Sequence, residues 1–284
     1  MPSTYAHYVF GKQMLERFPQ PLAEIARDHR ELYDIGLHGP DILFYYHPLT
    51  ANKVNSVGFG MHERPAREFF TRAKEACLHS KDRESATAYA LGFVCHFALD
   101  TECHSYIENK IAVSDVRHTE IESEFDRNLL EKQGIEPLSA KLTKHIVASA
   151  QNADTIAPFF AGITGKQVLK SLRSMCRYNE LLRAPHACKR FAVETILHLS
   201  GNYREMHGMM MAKKPIAACR DSNLRLEKLM HRAEDLCVRL AENFMEFLEG
   251  KTQLCDTFDR TFGPNGNWRE IPVLSEKEEQ DYEV

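Results

Sequence analysis

Apolar residues recur every three or four positions along most of this chain, which is the spacing of an amphipathic helix. The clearest case is residues 219–250, where leucine and phenylalanine keep that spacing up to Gly250, a residue type that commonly ends helices. No alternating run of β-branched residues is long enough to predict a sheet, so we expect an all-α fold with one multi-helix domain. The same spacing predicts the other helices over residues 9–18, 22–32, 63–79, 84–110, 115–133, 138–151, 166–182 and 186–211.

The stretches between the helices predict turns, a loop and an extension. Residues 36–41 are rich in glycine and proline and predict a turn, and residues 48–60 predict a loop. Residues 251–284 predict an irregular extension, and we expect its acidic end, SEKEEQDYEV, to be disordered. The sequence therefore divides into a helical domain over residues 1–250 and an extension over residues 251–284.

Composition narrows the class of protein. The chain has 284 residues, 43% of them hydrophobic, and a net charge of -4, and an acidic balance does not favour a dedicated nucleic-acid-binding surface. No apolar run approaches the roughly 18 residues of a membrane span. Residues 1–30 lack a secretory signal pattern, and the eight cysteines form no CxxC pair, so we expect reduced thiols and a cytoplasmic protein.

Histidine is the unusual residue type, because nine of the 14 histidines fall in the first 118 residues. His96, Asp100 and His104 stand four residues apart on a predicted helix, and steps of four stay on one helix face. One helix can thus aim two imidazoles and a carboxylate at one point, a donor set that suits zinc. A single such pair is usually a surface ion pair, but a series of them on an apolar helix favours a metal, because buried polar groups are costly when unpaired.

Two further segments carry candidate ligands. His118 and Glu122 form another pair four residues apart on the next predicted helix, and they can close a second site with His104 if the two helices pack side by side. The remaining candidates are His7, Asp41 and His62, which lie in loops or near helix ends and must reach the helical pair in space.

These motifs resemble the zinc-dependent phospholipases C of bacteria, whose fold is shared by the fungal single-strand-specific nucleases. The resemblance implies an all-α protein with three zinc ions in a cleft. The implied ligands of one ion are His104, His118 and Glu122. Those of the second are His96, a bridging Asp100, Asp41 and His62, with His47 as the substitute for His62. The third ion is implied to bind His7 and the amino terminus, where Pro2 supplies the amine if Met1 is removed.

The function expected from this resemblance is zinc-dependent hydrolysis of a phosphodiester by metal-activated hydroxide, with two or three zinc ions and with Asp41 orienting or deprotonating the attacking water. The overall acidity favours a phospholipid or small phosphodiester over nucleic acid. The alternatives are a nuclease acting on single strands, a non-catalytic helical metal-binding protein and a helical di-iron protein. The aromatic side chains expected along the cleft are those of Tyr5, Phe44, Tyr45 and Tyr46.

Overall fold

The structure is a computed structural model that describes residues 4–199, 201 and 207–284. Helices account for the regular structure of these residues, and no strand occurs among them. The predicted all-α fold is therefore confirmed. The α-helices are α1 (Thr4–Arg17), α2 (Gln20–Asp28), α3 (Arg30–Gly36), α4 (Lys53–His62), α5 (Ala66–Leu78), α6 (Arg83–Val113), α7 (His118–Lys132), α8 (Ala150–Ile156), α9 (Gly165–Leu182), α10 (Ala187–Leu199), α11 (Arg220–Leu248) and α12 (Glu276–Asp281). Short 3-10 helices lie at Gly39–Tyr45, Pro137–Ser139, Ala157–Phe159, His207–Met209, Ala217–Cys219, Asp256–Asp259 and Trp268–Glu270.

Helix α6 is the centre of the fold. It is 31 residues long and starts at Asp82, whose side chain accepts a hydrogen bond of 3.1 Å from the backbone N–H of Ser85. The helix is apolar on most of its surface because it is surrounded: α1, α2, α3, α5 and α11 all pack against it. A polar residue on this helix therefore sits in the interior of the protein, where it needs a partner.

Several of the predicted segments differ from the structure. The helix predicted over residues 22–32 is divided at His29 into α2 and α3. Residues 48–60 were predicted as a loop, but α4 begins there, because Asn52 and Asn55 form a reciprocal capping box at its start. Residues 138–151 were predicted as a helix, but residues 140–149 are irregular with one turn at 142–145, and α8 begins only after its cap at Ser149. The helix predicted over residues 186–211 is present as α10 up to Leu199, whereas residues 207–211 form a 3-10 helix and a bend, and residues 200 and 202–206 lie outside the described residues.

The C-terminal extension packs onto the helical body. Leu254, Phe258 and Phe262 are buried in the same core as the long helices. The acidic end, predicted to be disordered, instead contains α12, whose Glu279 forms a buried ion pair of 2.7 Å with Arg225 of α11. A buried carboxylate held by two guanidinium hydrogen bonds fixes this end of the chain, which charge composition alone does not reveal.

The length and apolarity of a helix decide whether it can span a membrane. Within the described residues, none of the helices combines the length and the apolar character that crossing a bilayer requires.

Candidate metal centre

The eight side chains predicted as metal ligands meet in one place. They come from five elements: His7 from α1, Asp41 from the 3-10 helix Gly39–Tyr45, His62 from the end of α4, His96, Asp100 and His104 from α6, and His118 and Glu122 from α7. Residues more than 100 positions apart in the sequence thus share one site, at the bottom of a cleft between α4, α6 and α7.

Asp100 is the central carboxylate of this site. Its Oδ1 lies 3.2 Å from Nε2 of His7, and its Oδ2 lies 3.0 Å from Nε2 of His96. The same Oδ2 is 3.7 Å from Nδ1 of His104 and 3.9 Å from Nε2 of His62. One carboxylate therefore faces four imidazoles at distances of 3.0 to 3.9 Å.

Asp41 supplies the second carboxylate. Its Oδ1 is 3.2 Å from Nε2 of His62 and its Oδ2 is 3.6 Å from Nε2 of His96. Asp41 and His96 are both fully buried, so water cannot stabilise either side chain.

Glu122 forms a separate cluster one helix away. Its Oε1 lies 3.0 Å from Nε2 of His118 and 3.9 Å from Nε2 of His104. This cluster opens towards solvent, since the side chain of His118 is 36% exposed.

Three groups of residues could each hold a metal ion, because their ligand atoms lie within 4.8 Å of one another. The groups are His7, His96 and Asp100; Asp41, His62 and His96; and His104, His118 and Glu122. All the donors are imidazole nitrogens and carboxylate oxygens, which are ligands that zinc accepts.

Unsatisfied polar atoms supply the test of whether a metal fits. Seven buried side-chain atoms of the cluster make no hydrogen bond of good geometry: His7 Nδ1, Asp41 Oδ1 and Oδ2, His96 Nε2, Asp100 Oδ2, His104 Nδ1 and Glu122 Oε2. Buried polar atoms without partners are rare in folded proteins and costly when they occur. Cations bound at the three groups would give Asp41, His96 and Asp100 the partners that the protein does not supply, so the residues fit a metal centre.

Backbone carbonyl groups orient two of the imidazoles. His62 Nδ1 lies 3.0 Å from the carbonyl oxygen of Gly58, and His96 Nδ1 lies 3.3 Å from that of Leu37. A hydrogen bond at Nδ1 fixes the tautomer that leaves Nε2 with its lone pair facing the carboxylates, as is usual around bound metals.

Gly39 makes room for His96. Its φ of +49° lies in the left-handed region, and a Cβ added there would come within 2.2 Å of the His96 ring. The turn before Asp41 therefore requires glycine both for its backbone conformation and for the space that the imidazole occupies.

Asp126 places the start of α1 at the site. It follows Glu122 by one turn on α7 and accepts hydrogen bonds from the backbone N–H groups of Tyr5, at 3.0 Å, and Ala6, at 2.8 Å. A carboxylate at a helix N-terminus is favoured by the helix dipole. Because His7 follows directly, this contact fixes the direction in which its imidazole points.

The electrostatics of the cluster keep its carboxylates ionised. Burial would raise the pKa of Asp100, but the neighbouring imidazoles, His96 first and then His104, hold that pKa well below its usual value. Burial likewise opposes ionisation of Asp41, but His96 and His62 lower its pKa. The carboxylates are therefore charged at neutral pH and available to a cation.

The histidines divide into two kinds. Burial would lower the pKa of His62, but the ionised Asp41, whose Oδ1 lies 3.2 Å from His62 Nε2, raises it to about 9. Burial also opposes protonation of His7, but its hydrogen bond to Asp100 raises its pKa. For His104 burial dominates, and its pKa is lowered.

Some predicted positions lie elsewhere. His47, the substitute for His62, is exposed and its Nε2 lies 2.7 Å from Lys170 Nζ, so it belongs to none of the three groups. Of the predicted cleft aromatics, Phe44 lines the cleft. Tyr45 lines a neighbouring cavity, while Tyr5 is hydrogen bonded to Gln133. Pro2 lies outside the described residues.

Sequence reasoning missed two aromatic residues of the site. Phe59 lines the cleft and stacks on Phe44 with ring centroids 4.2 Å apart, but it lies in α4, where a loop was predicted. The capping pair Asn52 and Asn55 was the signal that could have revealed this helix. Phe262 packs against His62 and His96 from the extension, and no local pattern indicates this contact.

The cleft above the cluster is small and open. Its volume is about 170 Å³, and its lining combines the polar ligands with the rings of Phe44 and Phe59. Such a space admits one polar group to the ligands and leaves the rest of a larger molecule against the aromatic rim.

The comparisons with known proteins agree with this geometry. A family model described as zinc dependent phospholipase C matches residues 6–169, more than half of the chain and a span that includes all eight candidate ligands. No curated protein and no solved structure matches the chain.

Proposed function

From the premise that this chain belongs to the zinc-dependent phospholipase C family, we propose that it hydrolyses a phosphodiester at the metal centre. The observation that carries the proposal is the convergence of eight imidazole and carboxylate side chains, six of which have buried polar atoms without a hydrogen-bond partner in the protein. Ionic or hydrogen-bonded networks that serve stability alone do not leave so many buried atoms without partners.

The proposed ligands divide into three sets. Asp41, His62, His96 and Asp100 would hold one zinc ion, and His104, His118 and Glu122 a second. His7 and Asp100 would hold a third, with the Pro2 amine as a further ligand if Met1 is removed. Zinc bound at such sites lowers the pKa of water and neutralises charge on a phosphate.

Asp41 is the proposed catalytic residue. It is ionised because His96 and His62 lower its pKa, and it lies on the cleft lining, so it can orient water or accept a proton from it. Asp100 is also ionised, and its contacts with four histidines support the role of a bridging ligand.

The proposed substrate class is a phospholipid or another small phosphodiester. Two aromatic rings, Phe44 and Phe59, form the rim of the cleft, and Phe59 is exposed beside it. An exposed apolar rim next to a polar floor suits a molecule with a phosphate and an apolar or uncharged part. A cytoplasmic location for the protein stays a prediction.

The test combines metal analysis with a screen of phosphoesters. Protein purified without chelator should contain two or three zinc ions and should hydrolyse bis-p-nitrophenyl phosphate and phosphatidylcholine vesicles faster than a single-stranded oligonucleotide. An Asp41→Asn variant should lose about 10²- to 10⁴-fold in kcat/KM, the range of a missing general base. Zinc-loaded protein with no turnover on any diester would support the non-catalytic metal-binding alternative, and preference for the oligonucleotide would support the nuclease.

A further inference from the structure

Residues 258–265 of the C-terminal extension run along the back of the metal centre. They lie outside residues 6–169, the part of the chain that the family model matches. Phe258 and Phe262 of this segment both enter the core. The extension therefore contacts the interior of the site and not only its outer surface.

Phe262 contacts two of the candidate ligands. It is only 1% exposed, and its ring centroid lies 5.9 Å from the ring of His62 and 5.9 Å from that of His96. Phe93 and Phe97 of α6 enclose its other sides, at 5.7 Å and 5.1 Å. The ring of Phe262 is thus wedged between α6 and the imidazoles, and these positions depend on each other.

Gly263 brings the backbone up to the same ligand. A Cβ added at Gly263 would lie 3.1 Å from the carbonyl oxygen of His62, closer than most real Cβ contacts. The chain passes directly beside the last residue of α4 at this point. The side chain of residue 262 and the backbone of residue 263 therefore both bear on His62.

Hydrogen bonds hold the segment in this place on both sides. The carbonyl of Arg260 accepts a hydrogen bond of 2.9 Å from the backbone N–H of Ala66 at the start of α5. Further along, the backbone N–H of Asn265 donates to Ser105 Oγ of α6, also at 2.9 Å. Because these anchors flank Phe262, its ring has little freedom to move away from the imidazoles.

His62 is held by fewer contacts from its own helix than His96 is. It is the last residue of the ten-residue helix α4, and its side chain is 22% exposed. Its own element contributes one contact, from the carbonyl of Gly58 to Nδ1. By contrast, His96 lies in the middle of α6 and is fully buried.

We propose that Phe262 is a positioning residue that holds His62 in register with Asp41 and His96, so that the C-terminal extension is part of the metal centre. This inference rests on the proposed metal centre. Imidazole ligands generally depend on surrounding contacts for their orientation, and the loss of such contacts lowers metal affinity by about 10- to 100-fold. The ion held by Asp41, His62 and His96 is the one that should be affected.

The experiment compares Phe262→Ala with a matched control, Phe258→Ala, in the full chain. Phe258 lies four residues earlier in the same segment, is 0% exposed, and packs on Phe70 and Phe97. Zinc affinity is measured by competition with a chromogenic chelator at a temperature where both variants are folded. We expect about a 10- to 100-fold loss of affinity for one ion in Phe262→Ala, and little change in Phe258→Ala although it is destabilised to a similar extent.

A spectroscopic readout separates positioning from general destabilisation. Replacement of zinc by cobalt(II) gives visible bands that report ligand geometry, and these bands should shift in Phe262→Ala and stay the same in Phe258→Ala. Phe262→Leu, which keeps most of the buried volume, should recover much of the affinity. If Phe262→Ala does not fold, Phe262→Val and Phe258→Val form the matched pair, and the loss of affinity is again expected only at position 262.

The outcomes distinguish this inference from the proposed function. Wild-type protein that binds no zinc would refute the metal centre itself. Wild-type protein that binds zinc, with unchanged affinity and cobalt spectrum in Phe262→Ala, would refute the role of Phe262 alone. Equal losses in the two alanine variants would also overturn it, because they would trace the effect to stability.

Discussion

The metal centre has two halves that are built in different ways. In the first half, Asp41 and Asp100 face His7, His62 and His96, and the ligands come from four separate elements. In the second half, Glu122 faces His104 and His118, which belong to the neighbouring helices α6 and α7. The first half is mostly buried, whereas the second opens to solvent through His118.

This difference suggests a division of tasks. Ligands fixed by packing from several directions are preorganised, so the first half should hold its metal firmly and set the position of the reacting water. Ligands on two adjacent helices, one of them exposed, can adjust when a substrate approaches. Asp100 connects the halves, because its Oδ2 also lies 3.7 Å from His104.

The largest effect on zinc content and activity is expected when the charge of Asp100, which connects the two halves, is removed. Asp100→Asn keeps the shape of the side chain but cannot balance the ions on both sides. We expect the loss of at least one zinc ion and a fall in kcat/KM of about 10³-fold or more, since bound metal supplies several kcal/mol of transition-state stabilisation. Zinc analysis and kinetics measure this, with Asp221→Asn, a buried carboxylate paired with Lys110 outside the centre, as the control. Full zinc content in Asp100→Asn would show that the halves are independent.

A smaller effect should follow from a change confined to the second half. His118→Ala should release one ion, reduce activity by about 10²-fold, and leave the Tm of the metal-free protein nearly unchanged, because the side chain is partly exposed. His7→Ala should also lower Tm, since it leaves Asp100 with an unpaired buried oxygen. Metal content and thermal melts test the contrast, and the exposed His231→Ala serves as the neutral control. Equal losses of Tm in His118→Ala and His7→Ala would contradict the view that only the first half depends on buried contacts.

The smallest expected effect is the pH dependence of zinc binding. In the metal-free protein, His62 has a pKa raised to about 9 by Asp41, which outweighs the effect of burial, so zinc must displace a proton there at neutral pH. Zinc affinity of the first half should therefore rise by up to about tenfold per pH unit until pH approaches 9. Over the same range the metal-free protein should lose stability, because a raised histidine pKa stabilises the fold below the ordinary value of 6.5 and ceases to do so above about 9.

Calorimetry in buffers of different ionisation enthalpy counts the released protons. His104 supplies the comparison within the same protein, because burial lowers its pKa and leaves it neutral before zinc binds. A His62→Ala variant should release about one proton fewer. If the number of released protons is the same in His62→Ala, the proton that zinc displaces is not carried by His62.

The two halves also differ in how far the sequence predicts them. The positions of His104, His118 and Glu122 follow from local spacing on two consecutive helices, since residues four apart share a helix face. Local spacing does not decide between His62 and His47 as the ligand. That choice depends on the fold of the 3-10 helix Gly39–Tyr45 and of α4, which was predicted as a loop. In that region Gly58 and Gly60 obscured the helical pattern, and packing of α4 on Gly39–Tyr45 decided the structure.

The C-terminal extension also shows that local sequence patterns do not predict contacts between distant residues. Its acidic composition predicts disorder, yet the contact between Glu279 and Arg225 across 54 positions fixes α12. Likewise, nothing in residues 138–151 indicates that His145 Nε2 lies 2.7 Å from His38 Nε2, a contact that accompanies turns where a helix was predicted. Local patterns therefore recover the long helices and the ligands on them, while elements held by distant partners require the folded structure.

The glycine at residue 39 gives the centre a point of failure that no inventory of ligands would reveal. A single methyl group there would occupy the volume of the His96 ring and force the backbone out of its left-handed turn. A relative of this protein could keep every imidazole and carboxylate and still be inactive because of alanine at that one position. Surveys that sort such chains into working enzymes and silent ones should therefore inspect residue 39 together with the eight donors.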